Sequence, residues 1–314
     1  MKPSFQTTLC GSVEIAGRGV HSNAPVRVHL RPGAVDTGLV MHRTGLPDGR
    51  SRVVEANWRK VTRTDLSTVL GDGAQDLVAT TEHLMAALAG LGVDNARIEV
   101  DGPEMPIMDG SALPFVRAVD AVGVIQQVKT RRHLRILKTV RIDNGQSFAE
   151  LKPAMGGFRL DVEIDFENAA IGRQRRLFDV DPQAFRAQIA PARTFGFLYE
   201  VERLRAMGLA KGSSLENSVG IDGERVMNPE GLRFPDEFVR HKALDAIGDL
   251  ALAGAPIIGA YRGYRPGHKV NLMVLQALFA DASAYEFVEG RRVREPLPAR
   301  VASGRAAYAA EANA

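Results

Sequence analysis

Cysteine is almost missing from this chain: Cys10 is the single one in 314 residues. One thiol excludes an intrachain disulfide and a cysteine-rich metal site, so any metal held here must rest on histidine and carboxylate ligands. Cys10 itself reads as a small buried apolar residue. Long apolar runs are absent too. No stretch reaches the roughly 18 to 20 residues a membrane span needs, and the opening MKPSFQTTLCGSVEIAG lacks the charged start and apolar middle of a signal peptide. The expectation is a cytoplasmic protein without stable membrane insertion. Aromatics are only 6% of residues and the formal net charge is only +3. Basic runs at 129–135, 173–176 and 290–294 read as solvated surface or as attraction for an anionic partner.

What is present is an ordinary globular mixture, 45% hydrophobic and 25% charged, with a length suited to about two domains. Strict alternation marks two stretches. Val26, Val28 and Leu30 alternate with Arg27, His29 and Arg31, and Phe158, Leu160, Val162, Ile164 and Phe166 alternate with charged residues. Period two with one polar face predicts antiparallel strands covered on one side. Residues 80–91 read as a helix, with Thr80 and Thr81 as alternative N-caps and Gly92 just beyond its end. A strand over 96–100 and a helix over 112–122 follow.

The second half repeats that order, with strands around 148–166, a helix from 236 to 252, a strand near 257–261 and a helix over 269–279. The pattern predicts an α+β fold made of two similar sheet-plus-helix layers from an internal duplication, with the active site at their interface. Apolar periodicity lapses in IQQVKTRRHLR, which places the domain boundary at 127/128, giving domains 1–127 and 128–314. The segment 195–221 has no evident counterpart in the first half and reads either as a functional insert or as a surface excursion.

Three groups of residues could carry chemistry. His241, Asp245 and Asp249 follow one another at i, i+4 and i+8, which keeps them on one helix stripe opposite Leu244, Ile247 and Leu250. They can share an ion, or they can be the wet face of an amphipathic helix. Glu82 and His83 stand side by side in the first turn of the other helix. They can serve one ion as neighbouring base and ligand, or simply favour the helix N-terminus and fill the core. If the halves are equivalent, these helices face each other and His83, His241 and Asp245 converge with a fourth position left open, the arrangement of a catalytic zinc. His268, at the mouth of the last helix, is a second acid/base candidate or a cap. Thr194 could donate to an oxyanion.

The strings TTEHLMAALAGLGVDN, MPIMDGSALPFV, ARTFGF, EGLRFPDEFVRHKALDAIGDL and GHKVN, in this order, resemble the bacterial UDP-3-O-acyl-N-acetylglucosamine deacetylases of lipid A synthesis, over about Thr7 to Val288. The resemblance implies a two-domain α+β fold in a Gram-negative cytoplasmic enzyme that hydrolyses the acetamide of an acylated UDP-amino sugar. It implies one zinc per chain, or iron(II) in the cell, on His83, His241 and Asp245. Glu82 would be the general base, and His268, oriented by Asp249, the stabiliser or general acid. Thr194 would act with the zinc on the oxyanion, and either His268 or Glu82 would protonate the departing amine.

The acyl chain would enter the insert after Thr194, past Phe195, Leu204 and Ser214. The UDP would lie near Asp165, Phe166, Lys242 and Arg265. Arg265 stands where the family often has lysine, and GLAKGSSLEN, with Lys211 and Ser213, replaces a more apolar sequence. A monomer is the expectation. The competing reading, an RNA-associated protein with a sequence pI near 9.1, lacks basic runs interleaved with aromatics, so no nucleic-acid partner is expected. A metal hydrolase acting on another amide or a phosphoester would keep the ligands and change the pocket.

Overall fold

A computed structural model describes residues 5–46, 48–72 and 76–289. The basic run at 290–294 and the first four residues lie outside the described residues. The chain opens with β1 (Phe5–Leu9), β2 (Val13–Arg18), β3 (Pro25–Pro32), β4 (Leu39–Arg43) and β5 (Arg52–Glu55). Three short strands follow, β6 (Val61–Arg63), β7 (Val69–Gly71) and β8 (Asp76–Val78), then α1 (Glu82–Leu91), β9 (Ala96–Val100), α2 (Leu113–Val122) and β10 (Val124–Thr130).

The second half starts with β11 (Arg132–Ile136), β12 (Val140–Asp143), β13 (Phe148–Lys152), β14 (Phe158–Asp165) and β15 (Arg173–Asp179). It continues through α3 (Pro182–Ala184), which runs on as a π-helical turn at Phe185–Ile189, then β16 (Phe195–Phe197), α4 (Leu198–Ala206), β17 (Val219–Asp222) and β18 (Arg225–Val226). The end is α5 (Glu237–Ala251), β19 (Ile257–Tyr264), α6 (His268–Ala280) and β20 (Tyr285–Glu289).

The fold is α+β, and the period-two stretches are strands. In β3 the side chains of Val26, Val28 and Leu30 are buried while Arg27 and Arg31 are exposed. In β14 the apolar set Leu160, Val162 and Ile164 is likewise buried. The sheets are mixed rather than purely antiparallel. β4 runs parallel to β9 and β14 parallel to β19, because in each case the chain returns through the buried helix between them, as a parallel crossover requires.

One sheet has the order β2-β3-β9-β4-β5; in the other, β12, β13, β19, β14 and β15 pair in the same succession and the same relative directions. The small β6–β8 sheet lies between β5 and α1, the place that β16, α4, β17 and β18 occupy between β15 and α5. The late segment therefore does have a first-half counterpart in position. The first-half counterpart is smaller, and its strands of three residues each are too short to show an alternation in the sequence.

The stretch 125–135 is also structured. β10 pairs antiparallel with β1, from Thr130 opposite Phe5 to Val124 opposite Leu9, and position 127 lies inside it. Its apolar periodicity lapses because both its faces are largely open, Val128 being 87% exposed. Cys10, expected to be buried, is exposed at the end of β1, where the chain turns before β2. No helix among the described residues is long and apolar enough to cross a membrane.

The two helices that carry the candidate residues form the centre of the molecule. Every residue of α1 except Ala89 is buried, as is α5 from Glu237 to Leu250 apart from Lys242. A helix covered all round belongs inside, not on a surface stripe. Gly248 permits their close approach: a Cβ there would stand 2.1 Å from the Glu82 carbonyl oxygen.

Candidate metal and catalytic site

Packing α1 against α5 brings His83 and His241 together edge to face, ring centroids 5.0 Å apart. Asp245, one turn beyond His241, places its Oδ1 3.2 Å from His241 Nε2 and 3.8 Å from His83 Nε2. One ligand atom from each of these three buried residues lies within 4.8 Å of the others. A tetrahedral ion with bonds near 2.0 to 2.2 Å holds its ligand atoms roughly 3.4 Å apart, so the spacing fits a single small divalent cation.

The donor chemistry fits as well. Asp245 Oδ1 is buried and has no hydrogen-bond partner, and neither has His83 Nδ1. His241 Nδ1 faces the Ala192 carbonyl at 3.1 Å, a geometry that puts its proton on that nitrogen and leaves the Nε2 lone pair free. Burial, reinforced by His241, pushes the His83 imidazole down to about 3, and burial also lowers His241, so both are neutral as ligands must be. Burial opposes ionisation of Asp245, but His241 and Lys242 beside it outweigh that and hold it well below the usual carboxylate range. Lys242 Nζ donates to the other Asp245 oxygen at 2.8 Å.

Glu82 is the first residue of α1. Thr80, in the left-handed region at φ 56°, directs the chain into the helix, a conformation that costs of order 1 kcal/mol or more in a β-branched residue. Neither expected N-cap caps: the Thr80 hydroxyl donates to Glu104, and that of Thr81 to the Thr68 carbonyl. The Glu82 carboxylate accepts the Thr68 amide at 3.0 Å. Burial pushes it up to about 7, with Asp245 and Asp249 adding to the rise against the opposing pull of His268.

His268, the first residue of α6, points Nε2 at Glu82 Oε1, 3.8 Å away, and donates from Nδ1 to Asp249 Oδ2 at 2.9 Å. Burial works against its charge, but Asp249 and Glu82 overcome it and raise the imidazole to about 10. His268 is therefore a cation between two carboxylates.

Thr194 enters by a different route. Its amide donates to the Gly110 carbonyl at 2.8 Å and its carbonyl accepts from Val219 at 2.7 Å, which ties the ARTFGF segment between the MDGS loop and β17. Beside it the fully buried Arg193 binds Glu237 at 2.9 Å and 3.2 Å and the Gly231 carbonyl at 2.7 Å. Phe195 packs on Phe238, at 4.9 Å between centroids, on Phe166 at 5.8 Å and on His241 at 6.3 Å. Phe166 is thus at the edge of an aromatic cluster that touches a candidate ligand, and Lys242 lies 5.7 Å over the Phe195 ring.

Asp165 accepts from the Tyr264 hydroxyl at 2.7 Å, and exposed Arg265, at φ 47°, follows directly on β19. Leu204 is half-buried on α4 and Ser214 exposed in the loop after it, so these two belong to the insert rather than to the candidate metal group. Sequence reasoning missed Thr68, Asn271, Arg193 and Gly248. Only Gly248, a glycine inside a helix of otherwise good packing residues, left a signal.

An α+β protein with a buried two-histidine, one-carboxylate group and an adjoining carboxylate–imidazole pair has the layout of a metal-dependent hydrolase. Residues 6–280 match the family described as UDP-3-O-acyl N-acetylglycosamine deacetylase, LpxC. A relative from Phenylobacterium zucineum, named UDP-3-O-acyl-N-acetylglucosamine deacetylase, is 52% identical over 281 residues, covering 90% of this chain and 95% of the relative. A relative of the same name from Brucella ovis is 48% identical over 287 residues, 91% and 99% of the two chains. The chain belongs to this deacetylase family.

Proposed function

We propose that this chain removes the acetyl group from UDP-3-O-acyl-N-acetylglucosamine, in lipid A biosynthesis, with a zinc ion on His83, His241 and Asp245. Iron(II) is the alternative occupant in the cell. The observation that carries the reading is the meeting of those three side chains, with Asp245 Oδ1 buried and unpartnered between them, next to a carboxylate whose affinity for a proton is tuned to neutral pH. The bound ion supplies Lewis acidity and lowers the pKa of adjacent water, from about 15.7 towards 7.

The chain's own groups do the rest. Glu82, held by the Thr68 amide, takes the proton from the attacking water. A base titrating near the working pH combines a useful ionised fraction with a useful proton affinity. His268, kept cationic by Asp249 and Glu82, stabilises developing negative charge and then, with Glu82 as the other candidate, returns a proton to the departing amine. The Thr194 hydroxyl offers the oxyanion a further donor.

Binding is assigned to the surrounding residues. The insert exposes Leu198, Tyr199, Met207, Leu209 and Leu215, apolar side chains that suit an acyl chain running past Phe195, Leu204 and Ser214. Phe166 and Asp165 suit the uridine, and Lys242 and Arg265 the diphosphate. The matching strand orders of the two sheets support an internal duplication, with domains 1–127 and 128–314 and the active site between them. Cytoplasmic location and a monomeric state belong to the same reading.

The test is acetate release from the acylated UDP-sugar by purified protein, with elemental analysis before and after chelation. Release that stops on chelation and returns with zinc or iron(II) is expected. A metal-loaded protein that releases no acetate would overturn the proposal.

A further inference from the structure

The base and the imidazole of this site come from different halves of the molecule, Glu82 from α1 and His268 from α6, yet they face each other across 3.8 Å. Charge attraction alone does not hold two side chains at fixed orientation. Each needs a partner for its remaining atoms.

Thr68, only 2% exposed and at the base of β7 in the first-half insert, reaches both. Its amide donates to Glu82 Oε2 at 3.0 Å, and its hydroxyl donates to Asp249 Oδ1 at 2.5 Å, across 181 positions of sequence. Asp249 Oδ2 in turn accepts from His268 Nδ1 and from Asn271 Nδ2, both at 2.9 Å. Glu82, Thr68, Asp249 and His268 thus form a closed circuit, and Thr68 is its uncharged member.

The Thr68 peptide is itself fixed. Its carbonyl accepts from the Thr81 amide at 3.2 Å and from the Thr81 hydroxyl at 3.0 Å, directly before Glu82. Two residues upstream, Leu66 occupies the left-handed region at φ 68° while 52% exposed, a strained conformation that burial of its own side chain does not reward. A bend held against its own preference, with all polar groups of the next threonine committed, is built for position rather than for packing.

We propose that Thr68 is a positioning residue that locks the proton-accepting carboxylate of one half to the Asp249–His268 pair of the other. This rests on the acid/base roles assigned above. With the hydroxyl gone, Asp249 keeps only the bonds at Oδ2 and is free to turn about its side chain, carrying His268 out of line with Glu82. The backbone amide to Glu82 remains, so substrate and metal binding are unaffected.

The experiment compares Thr68→Val, Thr68→Ser and the parent in kcat, KM and bound metal with the acylated UDP-sugar. Valine is close in volume and lacks the donor; serine keeps it. The expected result is a ten- to hundredfold loss of kcat for Thr68→Val, with KM and metal content unchanged, and recovery of most of kcat in Thr68→Ser. In an Asp249→Asn background, Thr68→Val should bring little further loss, because the partner is already compromised.

Should the valine variant not fold, Thr68→Ala carries the same expectation. Unchanged kcat in Thr68→Val, equal losses in valine and serine, or fully additive losses with Asp249→Asn would each overturn the proposal. Glu82→Gln and His268→Gln distinguish the two levels: parental kcat in both would sink the acid/base reading itself, whereas losses there with none at Thr68 would sink only the positioning role.

Discussion

Replacing Gly248 with alanine sets two effects of known size against each other. In an isolated helix alanine is favoured over glycine by about 1 kcal/mol. Here the added carbon would lie 2.1 Å from the Glu82 carbonyl oxygen and 2.8 Å from its carbon. Carbon–oxygen contacts settle at about 3.3 Å or more, and both atoms met are backbone, with no side chain to swing aside. The two helices must therefore part by about 1 Å. Overpacking of this kind costs about 1 to 3 kcal/mol, so the propensity gain is cancelled or exceeded.

The ion site feels the change more than the fold does. Metal–ligand distances tolerate about 0.2 Å, whereas His83 on α1 would move about 1 Å from its partners on α5. Gly248→Ala is expected to lower the affinity for zinc by at least tenfold, and to lower rather than raise the Tm of the metal-free protein. Competition with a chromophoric chelator gives the first quantity and calorimetry the second. A variant that binds zinc as tightly as the parent and melts higher would refute the reasoning that glycine sets the helix separation.

Other perturbations address single groups. His83→Ala and Asp245→Ala should lose bound metal and activity together, while Glu82→Gln keeps the metal and drops turnover by about 10² or more; elemental analysis beside kcat separates the two, and metal retained in both ligand variants would defeat the assignment. The rate should fall below pH 7 as Glu82, raised to about 7 by burial, gains a proton, and above about pH 10 as His268 loses one; a bound cation moves the acid limb lower, and a profile flat from pH 5 to 9 that also lacks the alkaline fall would contradict the pair. Arg193→Ala strands Glu237, which is 0% exposed, and should cost about 3 to 5 kcal/mol, a loss of roughly ten degrees in Tm; a shift within two degrees would show the pair to be dispensable.

Much of this arrangement is legible from residue order, for reasons that differ by element. The helices α1, α5 and α6 announce themselves through spacing, a C-terminal glycine at Gly92 and first-turn acids, all local properties. His241 and Asp245 are one helical turn apart, so their shared direction follows from geometry alone. Their meeting with His83 does not, since it depends on which faces pack; only the repeated order of elements in the two halves, with the resemblance to a known family beside it, points to it.

Local reasoning fails where a side chain's partner is remote. Thr80 and Thr81 look like N-caps, yet their hydroxyls are drawn to Glu104 and Thr68. Thr68 sits in a polar stretch with no periodicity and finds Asp249 only once both halves are assembled. Parallel pairing of β4 with β9 and of β14 with β19 was hidden in the same way, because alternation tells which face is covered and not which direction a neighbour runs.

Because one donor atom of the candidate group comes from the first half and two from the second, an ion bound there would also act as a fastener for the fold. At a free metal concentration a thousand times its dissociation constant, such binding opposes unfolding by about 4 kcal/mol. Scarcity of metal would then do more than slow turnover. It would loosen the seam between α1 and α5 and leave the depleted molecules more open to proteolysis, so that supply of the ion sets how long the protein survives as well as how fast it works.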